Sequence, residues 1–479
     1  MKLNKNQKEA VEFNEGHLLI VAGAGTGKTA VITQKIIHLV ESGLAKPEEI
    51  LALTFTDNSA AEMQERIDGE LNTGYVDMQI STFHNFCQLI LERYALDIGI
   101  SNQFKLFSDT DAWLMLKQNI YDLNLDYYRP MSNPARHIYE LLKHFSKCKD
   151  ELISPEEYLK HAESIKLNKD EVNKQEKSRL TEIANAYHKY NQLLLENGAL
   201  DFGDLIFYTV KLLQERPNAL ATLQSRYKYI LVDEFQDVNW AQYKLVGQLA
   251  DKSKLTVVGD DDQSIYAFRG ASVSNILRFK EDFPKSKEIV LTENYRSGQK
   301  ILDTAYELIQ NNNPDRLEEK LQIDKKLKAS AVKIPGTVDY FNYQSLDHEV
   351  AGVVEKISEL IKKPDVALDD IAILVRANSS VDPFVNALEK AGIPYEFLAS
   401  SGLYRQPIVL DCFNFLKAVA NYHDSTAFFR LLRLPFLNFS ESDLQKLTAG
   451  AKKKSTLYYE ALKRAGSYGV SQSGINLCE

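Results

Sequence analysis

Lys28 and Thr29 close the stretch Ala22-Gly23-Ala24-Gly25-Thr26-Gly27-Lys28-Thr29, whose residue types could cradle a polyphosphate. It follows the apolar run Leu18–Val21. After it come apolar residues at helical spacing, Val31, Ile32, Ile36, Ile37 and Val40, stopping at Gly43. A strand, a glycine-rich turn and a helix in that order point backbone N–H groups and the positive end of a helix dipole at an anion. Lys28 then reaches the β- and γ-phosphates, and Thr29 holds Mg²⁺. The strict pattern has glycine where this chain has Ala22, but Gly23, Gly25 and Gly27 keep the backbone permissive. Binding of a nucleoside triphosphate, with ATP and Mg²⁺ as the pair, is the expectation.

A second group of residues bears on the fate of the phosphate. Tyr229–Asp237, YILVDEFQD, ends an apolar run in Asp233 and Glu234. Asp233 can hold Mg²⁺ through water, and Glu234 can orient and deprotonate a water for in-line attack on the γ-phosphate. A kinase must keep water from that position, so an acidic base beside the metal ligand favours hydrolysis. A helix cap or surface pair is the competing role. Val257–Ala271, VVGDDDQSIYAFRGA, follows. Its consecutive aspartates repel unless some are hydrogen-bonded or lie near a cation. Gln263 suits the γ-phosphate or the attacking water. Tyr266, Phe268 and Arg269 combine two aromatics with a cation, and base stacking contributes about 1–3 kcal/mol in any sequence. Core packing is the other role open to Phe268.

Elements must bring these residues together. Apolar runs at Leu18–Val21, Ile50–Phe55, Met78–Ser81, Tyr229–Val232, Leu255–Val258 and Ile289–Leu291 read as central strands of a parallel sheet, with helices between several of them. From Phe86 to about Leu200 the strand signal gives way to helical periodicity, a helical insertion. After Arg296 a second α/β section begins. Thr337–Tyr343 and Asp370–Arg376 read as strands flanking the amphipathic segment His348–Lys363. Helical patterns return at Phe413–Asn421 and Thr426–Leu434. Ser467–Glu479, without periodicity, reads as a disordered tail or an arbitrary end.

The chain's 479 residues exceed one hydrophobic core. Cys87, Cys148, Cys412 and Cys478 lie too far apart for a zinc site and read as thiols of a reducing compartment. No signal-peptide pattern or bilayer-length apolar run is present, which makes the cytoplasm the expected address. A net charge of −9 argues against coating nucleic acid by bulk charge, though not against a local groove with stacking aromatics.

These motifs, in order and spacing, resemble the UvrD/Rep/PcrA family of superfamily 1 DNA helicases from Leu3 to about Leu434. LNKNQ at Leu3–Gln7 resembles the family's adenine-reading motif, which makes Gln7 the base contact. Leu51–Met63 resembles the motif that sets Phe55 against single-stranded DNA. Ser81–Phe86, STFHNF, resembles the next DNA contact, carried by Thr82, Phe83 and His84. Leu291–Ser297 resembles the motif in which Tyr295 stacks on adenine and Arg296 touches the γ-phosphate. DFGDLI at Asp201–Ile206 returns the chain to the first motor domain.

The resemblance implies RecA-like P-loop motor domains: residues 1–85 and 201–282 form the first, 86–200 its helical insertion, 283–380 part of a second, and 381–479 the start of a second insertion. It implies 3′→5′ travel on single-stranded DNA and opening of single/double-strand junctions in repair or replication, with accessory repair or replication proteins as partners. Three departures stand out. Ala30 replaces an adenine-sandwiching arginine, Leu432–Leu444 lacks a duplex-gripping Gly-Ile-Gly hairpin, and later motifs, with a second arginine for the γ-phosphate, are absent. The expectation is therefore the front portion of a longer or split helicase, with the missing half of the motor as a partner. A nucleotide-gated single-strand binding module without motor activity is the competing reading.

Overall fold

The computed structural model describes residues 3–71, 78–165, 171–265, 274–330, 336–397, 407–454 and 456–478. These fall into two compact units, 1–339 and 340–479.

The first unit runs α1 (Lys5–Glu12), β1 (Leu18–Ala22), α2 (Lys28–Glu41), β2 (Ile50–Thr54), α3 (Asp57–Glu70), β3 (Gln79–Thr82), α4 (Phe83–Tyr94) and β4 (Lys105–Leu106). Then come α5 (Asp109–Gln118), α6 (Ile138–Asp150), α7 (Pro155–Ser164), α8 (Glu171–Glu196), β5 (Ala199–Leu200), α9 (Phe202–Glu215) and α10 (Pro217–Arg226). It continues with β6 (Tyr229–Val232), α11 (Trp240–Ala250), β7 (Lys254–Gly259), α12 (Ser274–Asp282), β8 (Lys287–Leu291), β9 (Glu293–Asn294), α13 (Gln299–Ile309), α14 (Leu317–Leu321) and β10 (Lys328–Ala329).

β1 has no polar residue to offer water on either face, and every one of its residues is buried. It lies inside a parallel sheet of order β3-β2-β6-β7-β1-β8. Alternate residues serve opposite cores. Leu19, Val21, Leu51, Leu53, Ile230 and Val232 pack with α4, α9 and α11, whereas Leu18, Ile20, Ile50, Ala52 and Leu231 pack with α1 and α2. β8 pairs with β1 along its length, so this sheet runs past residue 282, where the sequence reading ended the first motor domain.

The helical insertion has a core of its own, starting at Ala112 and including Phe145 stacked on Tyr187 and Tyr190 at 5.0 and 5.4 Å. α4 belongs instead to the sheet's core, through Phe86, Cys87, Ile90 and Leu91. The chain leaves and returns side by side where β4 pairs with β5. Lys149, at the end of α6, is fully buried and lies 2.6 Å from Asp201 and 2.7 Å from Asp204 on the first turn of α9. Gly203 makes room, since a Cβ there would stand 3.1 Å from the Lys149 stem. Burial pushes the thiols of Cys87 and Cys148 up to about 12 and about 11. Among the described residues no helix is long and apolar enough to cross a membrane.

In the second unit the helix Leu346–Leu360 packs through Ile357 against Leu388 and Ile393, and a further core gathers around Leu432, Leu444, Leu447 and Ala451. Helices Pro407–Ala420 and Ser425–Leu432 stand where periodicity placed them. Two expectations are corrected. Thr337–Tyr343 and Asp370–Arg376 form no strand, and Tyr340 and Leu374 are 88% and 93% exposed. Alternating apolar residues need a hydrogen-bonded neighbour to become a strand, and these have none among the described residues. Nor is Ser467–Glu479 wholly a tail, because Gln472–Cys478 is helical and Asp443 accepts from the Ser471 N–H and hydroxyl at 2.9 and 2.5 Å.

Candidate nucleotide site and nucleic-acid contacts

The loop from β1 to α2 owes its shape to its glycines. Gly25 and Gly27 have φ of +75° and +85°, where a side chain is strained. A Cβ on Gly25 would lie 2.6 Å from Asn294 Nδ2 and 2.7 Å from Arg296 Cβ, so the segment after β9 presses directly on the loop. Asn294 Nδ2 donates to the Ala24 carbonyl at 2.5 Å, and the Tyr295 N–H donates to the Gly25 carbonyl at 2.9 Å. From the other side Gln7 Nε2 donates to the Thr26 carbonyl at 2.9 Å. Thr26 Oγ1 donates to the Gly23 carbonyl at 2.8 Å. Gly27 opens α2 without any side-chain cap, which leaves that helix N-terminus facing the cradle.

Three strands deliver charged groups to the same place. Thr29 Oγ1 donates to Asp233 Oδ2 at 3.0 Å. Asp233, 4% exposed at the end of β6, has its carboxyl pushed up to about 6 by burial and then by neighbouring Glu234. A hydroxyl and a carboxylate oxygen so close form a hard, oxygen-only donor pair of the kind Mg²⁺ takes. Glu234 has left-handed backbone, φ +50° and ψ +48°. Its Oε2 lies 2.5 Å from Lys28 Nζ and accepts from Gln236 Nε2 at 2.8 Å. Gln263 Oε1 also accepts from Lys28 Nζ, at 3.2 Å, while its amide donates to Asp260 Oδ2 at 2.6 Å. Lys28, Thr29, Asp233, Glu234 and Gln263 thus form one hydrogen-bonded cluster beyond the carboxyl ends of β1, β6 and β7, the place where open α/β sheets hold ligands.

The cation that relieves the three aspartates is Lys325. Its side chain is 4% exposed, lies 2.6 Å from Asp260 and 2.8 Å from Asp262, and also contacts Asp261. Arg316 grips both oxygens of Asp262 at 2.7 Å, holding that carboxyl below its ordinary range against the opposing effect of burial. Neither basic residue stands out in the sequence, since each lies more than fifty residues from its partners. Gln236 and Asn294 carry no distinguishing signal of their own, although they sit inside Tyr229–Asp237 and Leu291–Ser297.

The remaining residues divide. Tyr295 is exposed, and its hydroxyl accepts from Asn4 Nδ2 at 2.8 Å and donates to Glu293 at 2.9 Å. Arg296 is exposed beside the loop. Gln7 is fully buried, with its Oε1 taken by the Asn4 N–H at 3.0 Å. Phe55 is partly buried after β2. His84 is partly buried against Phe202 at 5.9 Å, and burial lowers its ring pKa. Thr82 caps α4 through its hydroxyl, which accepts from the Asn85 N–H. The expectation for Phe83 is corrected: its ring is 2% exposed within the sheet's core, because the first turn of α4 faces inward. Tyr266, Phe268 and Arg269 lie outside the described residues.

A model of the UvrD/REP helicase N-terminal domain matches residues 3–284, more than half of the chain. The chain belongs to the UvrD/REP helicase family. A model of the UvrD-like helicase C-terminal domain matches residues 289–463, so the match to the family extends beyond its N-terminal domain. Among curated relatives of this family member, the ATP-dependent DNA helicase PcrA of Bacillus subtilis is 36% identical over 477 residues, 99% of this chain and 61% of the relative. The PcrA of Leuconostoc citreum is 35% identical over 96% of the chain and 58% of the relative. That of Staphylococcus epidermidis is 34% identical over 99% and 62%. The chain therefore spans less than two thirds of the length of these relatives.

Proposed function

We propose that this family member hydrolyses ATP to drive 3′→5′ movement along single-stranded DNA and to open single/double-strand junctions, in the cytoplasm and in the service of repair or replication. Accessory repair or replication proteins, and a further motor segment, are the partners this reading allows. The domain division is part of the proposal: a first RecA-like motor around the parallel sheet, its helical insertion, and a second motor with its own insertion. What carries the reading is the Lys28–Glu234–Gln263 cluster beside the Thr29–Asp233 pair.

A triphosphate entering the cradle meets the backbone amides of Gly25–Lys28 and offers Lys28 a stronger anion than Glu234. Lys28 then turns to the β- and γ-oxygens, and the Glu234 carboxylate is released to take a proton from water aligned with the γ-phosphorus. Gln263 senses the same phosphate, and Arg296 neutralises charge on its outer side. Thr29 and Asp233 would hold Mg²⁺, which would supply positive charge to offset that of the phosphates. Tyr295 offers its exposed face to the adenine, and Gln7 ties the base-reading helix α1 to the loop. Phe55 and His84, with Tyr266, Phe268 and Arg269, supply the stacking track, while Thr82 holds its helix in register.

The test is ATP turnover with and without oligo-dT. Glu234→Gln is expected to lower kcat about 10²–10⁴-fold with ATP still bound, and Lys28→Ala to lose nucleotide affinity as well. Unchanged turnover in either variant refutes the assignment. DNA binding that responds to ATP in a wild-type chain that hydrolyses none favours the nucleotide-gated binding module instead.

A further inference from the structure

The turn from Glu234 to Asn239 joins β6 to α11, and groups from outside the nucleotide cluster hold its far end. Asn275, 2% exposed on α12, donates its Nδ2 to the Val238 carbonyl at 2.7 Å. Asn239 donates its Nδ2 to Asp150 Oδ1 at 2.8 Å, and Asp150 is the last residue of α6 in the helical insertion. Its neighbour Lys149 is locked into Asp201 and Asp204. The near end is clamped to the sheet: the Asp233 N–H donates to the Leu53 carbonyl at 3.0 Å, and Gln236 Oε1 accepts from the Asp260 N–H at 3.1 Å. That last approach needs Gly259, where a Cβ would stand 2.7 Å from Gln236 Oε1. Glu234 itself sits in left-handed backbone, a state a residue with a side chain keeps only when its surroundings impose it.

We infer that Asp150 and Asn275 are positioning residues that set Glu234 through Asn239 and Val238, so that movement of the helical insertion and of α12 controls hydrolysis. The two bonds come from different elements. α6 belongs to the insertion's core through Ile138, Leu141 and Phe145, and α12 follows directly in the chain after the segment containing Phe268 and Arg269. Glu234 provides the element with two states: left-handed and aimed at the phosphate, or relaxed to an ordinary conformation and turned away. A strand of DNA that displaces the insertion or α12 pulls on Asn239 or Val238, and only three to four residues separate these from the carboxylate. This rests on the hydrolytic role proposed for Glu234 and adds to it the route by which DNA stimulates the reaction.

The experiment compares full-length wild type, Asp150→Ala, Asp150→Asn, Asn275→Ala and the double alanine variant. It measures ATP turnover with and without saturating oligo-dT, KM for ATP, and melting temperature. Each alanine variant is expected to lose about tenfold in DNA-stimulated kcat, an ordinary coupling between sites, with basal rate and KM within about twofold. Asp150→Asn keeps an oxygen acceptor for Asn239 and is expected to keep the stimulation. The double variant should lose less than the product of the single losses, because both bonds act on one turn. Stimulation intact in a normally melting Asp150→Ala overturns the inference, and so does an equal fall of basal and stimulated rates. Should buried Asn275→Ala fail to fold, the two variants at partly exposed Asp150 decide alone. If Glu234→Gln retains turnover, the hydrolytic reading has failed; if it abolishes turnover while Asp150→Ala keeps full stimulation, only this inference has.

Discussion

Replacing Lys325 by methionine tests whether the aspartate cluster is a built support for Gln263. Lys325 bridges Asp260, Asp261 and Asp262 at 4% exposure, and Asp260 in turn accepts from Gln263 Nε2. Burial opposes its charge, but the three carboxylates more than compensate and hold its ammonium above the ordinary lysine range. Removing one partner of a buried ion pair costs about 3–5 kcal/mol. Arg316 still neutralises Asp262, and the Leu317 N–H still bonds Asp261 at 2.7 Å, so the low end, about 3 kcal/mol, applies. At roughly 2 °C per kcal/mol for a unit of this size, the first calorimetric transition should fall by about 6 °C near neutral pH.

The sign with pH follows. A lysine raised above its unfolded value contributes fully below about pH 10, so the wild-type contribution is constant between about pH 5 and about pH 8. In the variant the uncompensated aspartates have raised folded pKa values. Their penalty is present at about pH 8 and fades as protonation sets in toward about pH 5, narrowing the gap to wild type. DNA-stimulated kcat should fall as well, through loss of Gln263 positioning. A gap under about 2 °C near pH 8, or one of equal size at both pH values, refutes the reasoning.

Further outcomes can be checked with the same material. Gly25→Ala, at φ +75° and 2.6 Å from Asn294, should abolish nucleotide binding in a titration with a fluorescent ATP analogue, whereas Gly43→Ala, also at positive φ but with open space around it, should bind normally. Phe55→Ala and Phe268→Ala should each weaken oligo-dT affinity by about 1–3 kcal/mol with ATP affinity unchanged, measured by anisotropy. Phe83→Ala should instead cost about 3–5 kcal/mol of stability in denaturant unfolding, as expected of a ring in the core.

The phosphate loop was legible because its information is local: three glycines, a lysine and a threonine between one apolar run and one helical pattern. Asp233-Glu234 was legible for the same reason. Phe83 was not, since whether an aromatic after a strand faces a ligand or the core depends on the helix that follows. The relief of Asp260–Asp262 was foreseen as a need, but its source, Lys325, stands on a distant loop that only the folded chain brings near. Thr337–Tyr343 carried the alternation of a strand without the neighbour that would make it one. The insertion's helical character was plain, while its start was placed too early because α4 shows the same periodicity and packs on the sheet instead.

The left-handed backbone at Glu234 narrows which amino acids that position can accept. Asparagine, aspartate and glycine adopt such a conformation most readily, yet asparagine and glycine bring no carboxylate and aspartate is one methylene shorter. Glutamate alone spans the distance to Lys28 while carrying a removable negative charge, and it does so at a cost in conformational ease. A library randomised at this codon should therefore yield its best-folded members among residues that cannot turn over ATP, with folding and catalysis ranking the substitutions in opposite orders.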